Sequence, residues 1–219
     1  MTGNTMKNIN INIIFSVLAI LSVAAPAVAE DSNTGADFGS PDSVGNLIAN
    51  DAKSIPALVQ ERMLDPWFEW KSGLQERSGF SFGVDYSALY LGSDNSLGKD
   101  NASGGMLRFF GSWDLIGRGT PNTGALVWKL EHRHRYGDVS PNGFGLGELG
   151  YVGFIGAPWS NQGTRLTNLY WRQRFSEGRA TFVGGYLDVT DYVDTFVGGS
   201  PWTGFANLAF STGSASIFL

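Results

Sequence analysis

One-by-one alternation of apolar and polar residues constrains this chain more than any other feature. The clearest example is residues 80–90, where aromatic and aliphatic residues at even positions alternate with small or acidic residues at positions 81–87. Successive side chains of a β-strand point to opposite faces of the sheet. The stretch therefore predicts a strand with one apolar-aromatic face and one small-polar face.

The same alternation recurs in 104–116, 126–135 and 164–175. A Gly-rich fifth segment of ambiguous facing, 179–188, and a sixth, 204–211, complete a prediction of six strands. The first four are about 10–13 residues long, whereas strands in globular proteins usually have about 5–6 and a tilted membrane crossing needs about 9–11. Aromatic residues recur towards the ends of the apolar rows, as in the girdles of membrane barrels: Tyr86, Tyr90, Trp113, Trp128, Tyr136, Trp171 and Phe175. Together these features predict an all-β fold, an antiparallel transmembrane β-barrel.

A row of charges predicts which face of that barrel is wet. Lys129, Glu131, Arg133 and Arg135 share one face of the third strand, and neighbouring strands add Arg108, Arg172 and Arg174. A Lys or Arg on the lipid face at mid-membrane costs roughly 2–4 kcal/mol. We therefore expect these seven side chains to face a water-filled interior.

The N-terminus predicts export. Lys7 is followed by the apolar run Ile13–Ala25 and then by Ala27-Val28-Ala29, the features of a secretory signal peptide cleaved after Ala29. Thirteen apolar residues are too few for a membrane-spanning helix, which needs roughly 20. We assign residues 1–29 to the signal peptide and expect the mature protein in a Gram-negative outer membrane.

Between the signal and the strands we predict a periplasmic leader over residues 30–66 with a short helix. Residues 30–55 are rich in Ser, Asp, Asn and Gly and suggest a flexible segment. Apolar residues at helical spacing within 56–77 indicate a helix interrupted by Pro66. The barrel domain is expected over residues 67–219.

Composition excludes several classes. The chain has no cysteine, which rules out disulfides and thiolate metal sites. Its net charge of −5 argues against nucleic acid, whose binders carry basic patches.

Loop lengths predict the topology. Bacterial barrels have short periplasmic turns and long outer loops. The segments 117–123 and 176–178 are short, so 92–103, 137–163 and 190–201 are expected outside. This requires 137–163 to be one structured loop, which could fold into the barrel mouth, although Leu146–Ile155 could pass for a strand. Six crossings are too few to close a membrane barrel, whose usual minimum is eight, so the sequence is expected to be part of a longer reading frame.

The residues resemble those of one family, the carbohydrate-selective outer-membrane porins of OprB type. The resemblance is densest over Gly163–Asp194 and includes Leu169-Tyr170-Trp171-Arg172-Gln173-Arg174-Phe175, Leu187-Asp188 and Asp191-Tyr192. It implies a porin-type barrel of sixteen strands, of which about six are present here. It also implies passive diffusion of mono- and oligosaccharides, without catalysis or a cofactor, in a protein that would trimerise when complete.

The candidate sugar-contacting residues are the seven charged ones and Tyr170. Guanidinium groups and carboxylates exchange hydrogen bonds with sugar hydroxyls, and Tyr170 could offer a ring face to a pyranose. Two alternatives stay open: the charges could line a generic wet lumen, or pair with one another to brace the strands.

Two catalytic or metal hypotheses are weaker. His132 and His134 share a strand face, but zinc needs at least a third ligand, and an interfacial or subunit-contact role is favoured. Asp188, Asp191 and Asp194 lack a fixed opposing carboxyl for glycoside hydrolysis and are interpreted as a solvated outer loop that could include a helical turn, with calcium binding as a remote alternative. Besides the porin, the sequence leaves open a soluble periplasmic sugar-binding or sugar-cleaving β-protein and a non-conducting outer-membrane protein.

Overall fold

A computed structural model of the protein describes residues 39–40, 42–51, 64–192, 201 and 205–211. The predicted signal peptide lies outside the described residues, as does most of the predicted outer loop at 190–201. Five strands form one antiparallel sheet in the order of the sequence. They are β1 (Phe80–Gly92), β2 (Asn101–Ile116), β3 (Gly124–Arg135), β4 (Gly163–Phe175) and β5 (Ala180–Tyr186).

The register confirms the predicted alternation. Val84 pairs with Phe109 and Asp85 with Arg108, so apolar residues meet apolar residues and charged residues meet charged ones. Between β3 and β4 the pairing shifts after Lys129, because Thr167 is an extra residue on β4. The Thr167 hydroxyl donates to the Lys129 carbonyl at 3.0 Å, which gives this bulge a fixed conformation.

Two helices precede the sheet. Helix α1 (Val44–Asp51) lies in the segment predicted to be flexible, and that prediction is wrong for residues 42–51. Helix α2 (Asp65–Ser78) confirms the predicted helix before the first strand, and Pro66 occupies its first turn rather than interrupting it. Gly79 ends α2 in the left-handed conformation, with φ of 73°.

The predicted sixth strand is wrong. Among residues 205–211, Asn207 makes a single antiparallel bridge to Ile155, and Leu208–Ser211 form a helical turn. The Asn207 side chain accepts a hydrogen bond from the Ala209 backbone amide at 3.0 Å. This is a helix N-cap, and it explains why the local alternation does not continue as a strand.

The long connections share one end of the sheet and the short turns share the other. Residues 93–100 and 136–162 join strands at one end, and 117–123 and 176–179 join them at the other. The prediction that Leu146–Ile155 is part of a loop and not a strand is confirmed. Phe144–Glu148 form a π-helical turn there. None of the helices in the described ranges has the length and apolarity needed to cross a lipid bilayer.

Candidate functional site: the polar face of the sheet

The polar face carries the predicted charged residues, and most of those near its centre are buried. Arg108, Lys129 and Glu131 are 6%, 4% and 3% exposed, and Tyr170 is 3% exposed. Arg133, Arg172 and Arg174 are half-buried, and Arg135 is exposed. The register places these eight side chains on one face of β2, β3 and β4.

Ion pairs hold the buried charges. Arg108 donates to both carboxylate oxygens of Asp85 on β1, with nitrogen–oxygen distances of 2.7–3.1 Å. Arg133 donates to Glu131 on the same strand at 2.5 and 2.9 Å. Arg108, Lys129 and Glu131 are therefore buried and paired, rather than exposed to a water-filled interior as expected, and the alternative that charges pair to brace the strands describes these contacts. Burial is tolerable here because each charge has hydrogen-bonded partners.

The Lys129 ammonium is the centre of the network. It donates to the two carboxylate oxygens of Asp191 at 2.9 and 2.8 Å and to the Asp42 carbonyl at 3.2 Å. Asn168 also donates to Asp191, at 2.6 Å. Burial raises the pKa of Asp191 above its ordinary value, while Lys129 and Asn168 partly offset that effect.

The position of Asp191 differs from the prediction that it belongs to a solvated outer loop. The segment Val189–Asp191 is a single helical turn, which confirms that part of the interpretation. Asp191, however, is 2% exposed and faces the sheet, so it does not belong to a solvated loop. No residue type distinguishes it from its acidic neighbours; only the path of the chain after β5 brings it to Lys129.

Segments outside the sheet cover the polar face at both ends. Near the short turns, Val44 and Leu47 of α1 pack against Phe110, Ala125, Val127, Tyr170 and Val183. Near the long loops, residues 136–162 fold over the face: a Cβ at Gly104 would lie 3.1 Å from Cδ of Pro141. Phe144 and Trp159 of that loop are also buried. The prediction that this loop is structured is confirmed, and the loop folds over the polar face.

Ring and hydrogen-bond contacts connect the exposed aromatic residues of the opposite face. Phe80 stacks on Trp128 with ring centroids 5.1 Å apart, near the short turns. Near the long loops, the Tyr86 hydroxyl contacts Nε2 of His134 at 3.1 Å and also the hydroxyl of Tyr136. His132 and His134 thus lie on this exposed face, where Nδ1 of His132 bonds the Thr164 hydroxyl at 2.8 Å. In the described part of the chain no third metal-ligating side chain joins them.

Four partners of the polar cluster were not predicted from the sequence: Asp42, Asp85, Asn168 and Asp191. Asp85 and Asn168 stand at polar positions of alternating strands, so their pattern was a usable signal. Asp42 carried no such signal, because it lies before α1 in a segment rich in small polar residues.

Comparison with known proteins finds no family model, curated protein or solved structure that matches the chain.

Proposed function

We propose that the five-stranded sheet is one wall of an outer-membrane β-barrel and that the complete barrel is a porin for mono- and oligosaccharides. The observation that carries this proposal is the contrast between the two faces. The apolar face is exposed and rich in aromatic residues, whereas the charged face is covered and ion-paired. A sheet in water is stable with the reverse arrangement, because apolar area is then removed from solvent.

The spacing of the exposed aromatic residues supports a lipid-facing role. Trp113 lies near the short turns, and Tyr90 pairs with Ser103 near the long loops. Positions 103 and 113 of β2 are about 33 Å apart along a strand that rises roughly 3.3 Å per residue. At the tilt of about 40° found in barrels this gives a height of about 25 Å, the height of the apolar band of outer-membrane barrels.

The edges of the sheet support a larger barrel. Among the described residues, no strand pairs with the outer edge of β1 or of β5. Lipid cannot satisfy free backbone groups, so in a membrane both edges must pair with further strands. The porin therefore needs strands beyond these five, in keeping with the OprB-type resemblance and the trimer it implies.

Sugar contacts are proposed for the less buried cations of the polar face. Arg135 is exposed, and Arg133, Arg172 and Arg174 are half-buried. Guanidinium groups donate several hydrogen bonds in a fixed geometry to neutral hydroxylated solutes. Such contacts are suited to diffusion, because a solute must bind well enough to enter and weakly enough to leave. The proposal involves passage only, without a catalytic step.

Conductance tests the proposal. The protein is extracted from its native outer-membrane fraction with detergent and added to a planar bilayer. We expect open channels whose current falls when a sugar is added. Loss of one charge-assisted hydrogen bond in Arg135→Ala should weaken the sugar block by up to about tenfold, since such a bond contributes roughly 1.5 kcal/mol. Arg179→Ala, in the short turn after β4, is the control and should leave the block unchanged.

A non-conducting outer-membrane protein is the second candidate, favoured by the covering of the polar face at both ends. Channels absent at every voltage and salt concentration, from protein recovered in the membrane fraction, would support it. Recovery in the soluble fraction without detergent would contradict both candidates and favour a soluble periplasmic β-protein.

A further inference from the structure

We infer that residues 39–40 and 42–51 form a releasable plug that closes the half of the pore nearest the short turns. This inference rests on the proposed porin function and adds a control on it. The segment is not part of the sheet, yet it lies directly on the polar face of β2 and β3 and buries Val44 and Leu47 there.

Electrostatic contacts fix the start of the plug to the central charges of the sheet. The Asp42 carboxylate lies 3.7 Å from the Arg108 guanidinium, and both side chains are less than 10% exposed. The Asp42 carbonyl accepts from the Lys129 ammonium. One plug residue therefore contacts two of the predicted sugar-contacting cations.

Both ends of the plug are tethered by contacts that can break without disturbing the sheet. The Ser40 amide donates to the Asp191 carbonyl at 2.7 Å. A Cβ at Gly39 would lie 2.9 Å from that same carbonyl oxygen, so the close approach needs glycine there. At the other end Asp51 pairs with Lys71 of α2.

The strength of the attachment suits a reversible plug. Each strand is joined to its neighbour by a ladder of 7 to 13 residue pairs, whereas α1 is attached by the buried Val44 and Leu47, the half-buried Ile48 and a few polar contacts. A helix of eight residues is not stable alone in water. Release of the segment therefore melts α1, and the sheet keeps its own pairing.

Release would change the chemistry of the lumen. Arg108, Lys129 and Tyr170 lie beneath or beside the segment and are shielded while it is bound. With the segment displaced, they would join Arg133 and Arg135 in an open polar surface. The plug thus decides whether the central candidate sugar contacts are available.

Charge reversal at Asp42 tests the plug, with the protein in planar bilayers. Asp42→Lys places a cation beside Arg108 and Lys129 and should displace the segment. We expect channel conductance to rise by at least about twofold, because conductance follows the open cross-section of a pore. Asp94→Lys makes the same charge change in an exposed loop and should leave conductance at the parent value. Leu47→Asp, which disrupts the apolar contact instead, should act like Asp42→Lys and covers the case in which that variant does not fold.

A thiol readout makes the test independent of conduction. The chain contains no cysteine, so Val127→Cys introduces a single thiol beneath α1. We expect a membrane-impermeant maleimide to label it slowly in the parent and at least about tenfold faster with Asp42→Lys, because burial limits access. Thr181→Cys, half-buried on the same face of β5, should react equally in both backgrounds.

The two readouts separate the failure of the plug from the failure of the porin. Equal labelling of the Val127→Cys thiol with and without Asp42→Lys would overturn the plug, and so would faster labelling without a rise in conductance in a protein that conducts. Faster labelling in a protein that never conducts would retain the segment as a removable cover and overturn the porin.

Discussion

The two faces of this sheet have opposite relations to solvent. On the polar face, Arg108 and Lys129 are almost fully buried and ion-paired beneath α1 and the turn at Val189–Asp191. On the apolar face, Val84, Tyr86 and Trp113 are between 42% and 52% exposed, and α2 contacts this face only near the short turns, where Trp67 and Trp70 pack against Phe82. The same strands supply both faces, so strand propensity does not account for the difference. We propose that the difference reflects the medium that each face meets, with lipid on the apolar side.

The largest loss of folding stability is expected from removing the Lys129–Asp191 ion pair at the centre of the polar face. Lys129→Met leaves Asp191 buried without its cation and should destabilise the protein by about 3–5 kcal/mol. Urea titration of folding in lipid vesicles measures this loss. Adding Asp191→Leu removes the unpaired carboxylate and should recover most of the stability; a double variant no better than the single would show that packing, rather than charge, dominates.

The same variant has a defined pH dependence. Burial raises the folded-state pKa of Asp191 above its unfolded value. A raised pKa means that the folded state binds the proton more tightly, so this group favours folding at low pH and loses that contribution as pH rises through the folded pKa. Without Lys129 to offset burial, the loss in Lys129→Met should be smaller at about pH 5 than at about pH 8. An unchanged loss across this range would contradict the assignment.

A charge on the apolar face sharpens the comparison. Phe109 lies between Val84 and Leu130, midway along the exposed face. If that face meets lipid, Phe109→Arg should cost roughly 2–4 kcal/mol in vesicles. Thr181→Arg, half-buried on the polar face of β5, should cost less. A Phe109→Arg variant that is as stable as its parent would place the apolar face in water.

A somewhat smaller loss of folding stability is expected from overpacking the polar face. A Cβ at Gly83 would overlap the Phe110 ring. Gly83→Val should therefore force the ring to move and cost about 1–3 kcal/mol. Gly147→Val is the control, because a Cβ there meets no atom within 4 Å. Equal stabilities of the two variants would mean that Phe110 does not lie against Gly83.

The smallest effect is expected at the solvent-exposed loops. A hydrogen bond from Lys99 lowers the pKa of Asp138, and the two charged groups are 3.0 Å apart. A lowered pKa stabilises the contact at neutral pH, and the contribution is lost as pH falls through the folded pKa. Lys99→Ala should return the pKa of Asp138 towards its ordinary value, as carboxyl NMR titration would show, with little change in global stability. Arg179→Ala, at the other end of the sheet, should not move it.

Much of the sheet could be predicted because its signals are local. The alternation in β1 to β4 fixes which residues share a face, and the short turns fix the antiparallel order. The sixth strand failed because Asn207 caps a helical turn, a local preference that the alternation hid. The prediction of a flexible segment at residues 42–51 failed for another reason. Helix α1 is stabilised by contacts with Phe110 and Val127, which lie far away in the chain.

For the charged cluster on the polar face, the sequence likewise predicted the face but not the contacts. Arg108, Lys129, Glu131 and Arg133 were correctly placed on one face, but the aspartates that pair with Arg108 and Lys129, and the burial of the cluster, were not foreseen. Face is a property of residue parity, whereas burial depends on what packs above that face.

The sequence by itself determined the five strands of the sheet, their order, and the division of β1 to β4 into an apolar and a charged face, because strand faces follow from residue type at spacing two. Only the tertiary structure decided that Asp42 and Asp191 reach Arg108 and Lys129 and that α1 covers the charged face. The Lys129 contacts join residues 62 and 87 positions apart in the chain, and side-chain identity alone does not encode a meeting over that distance.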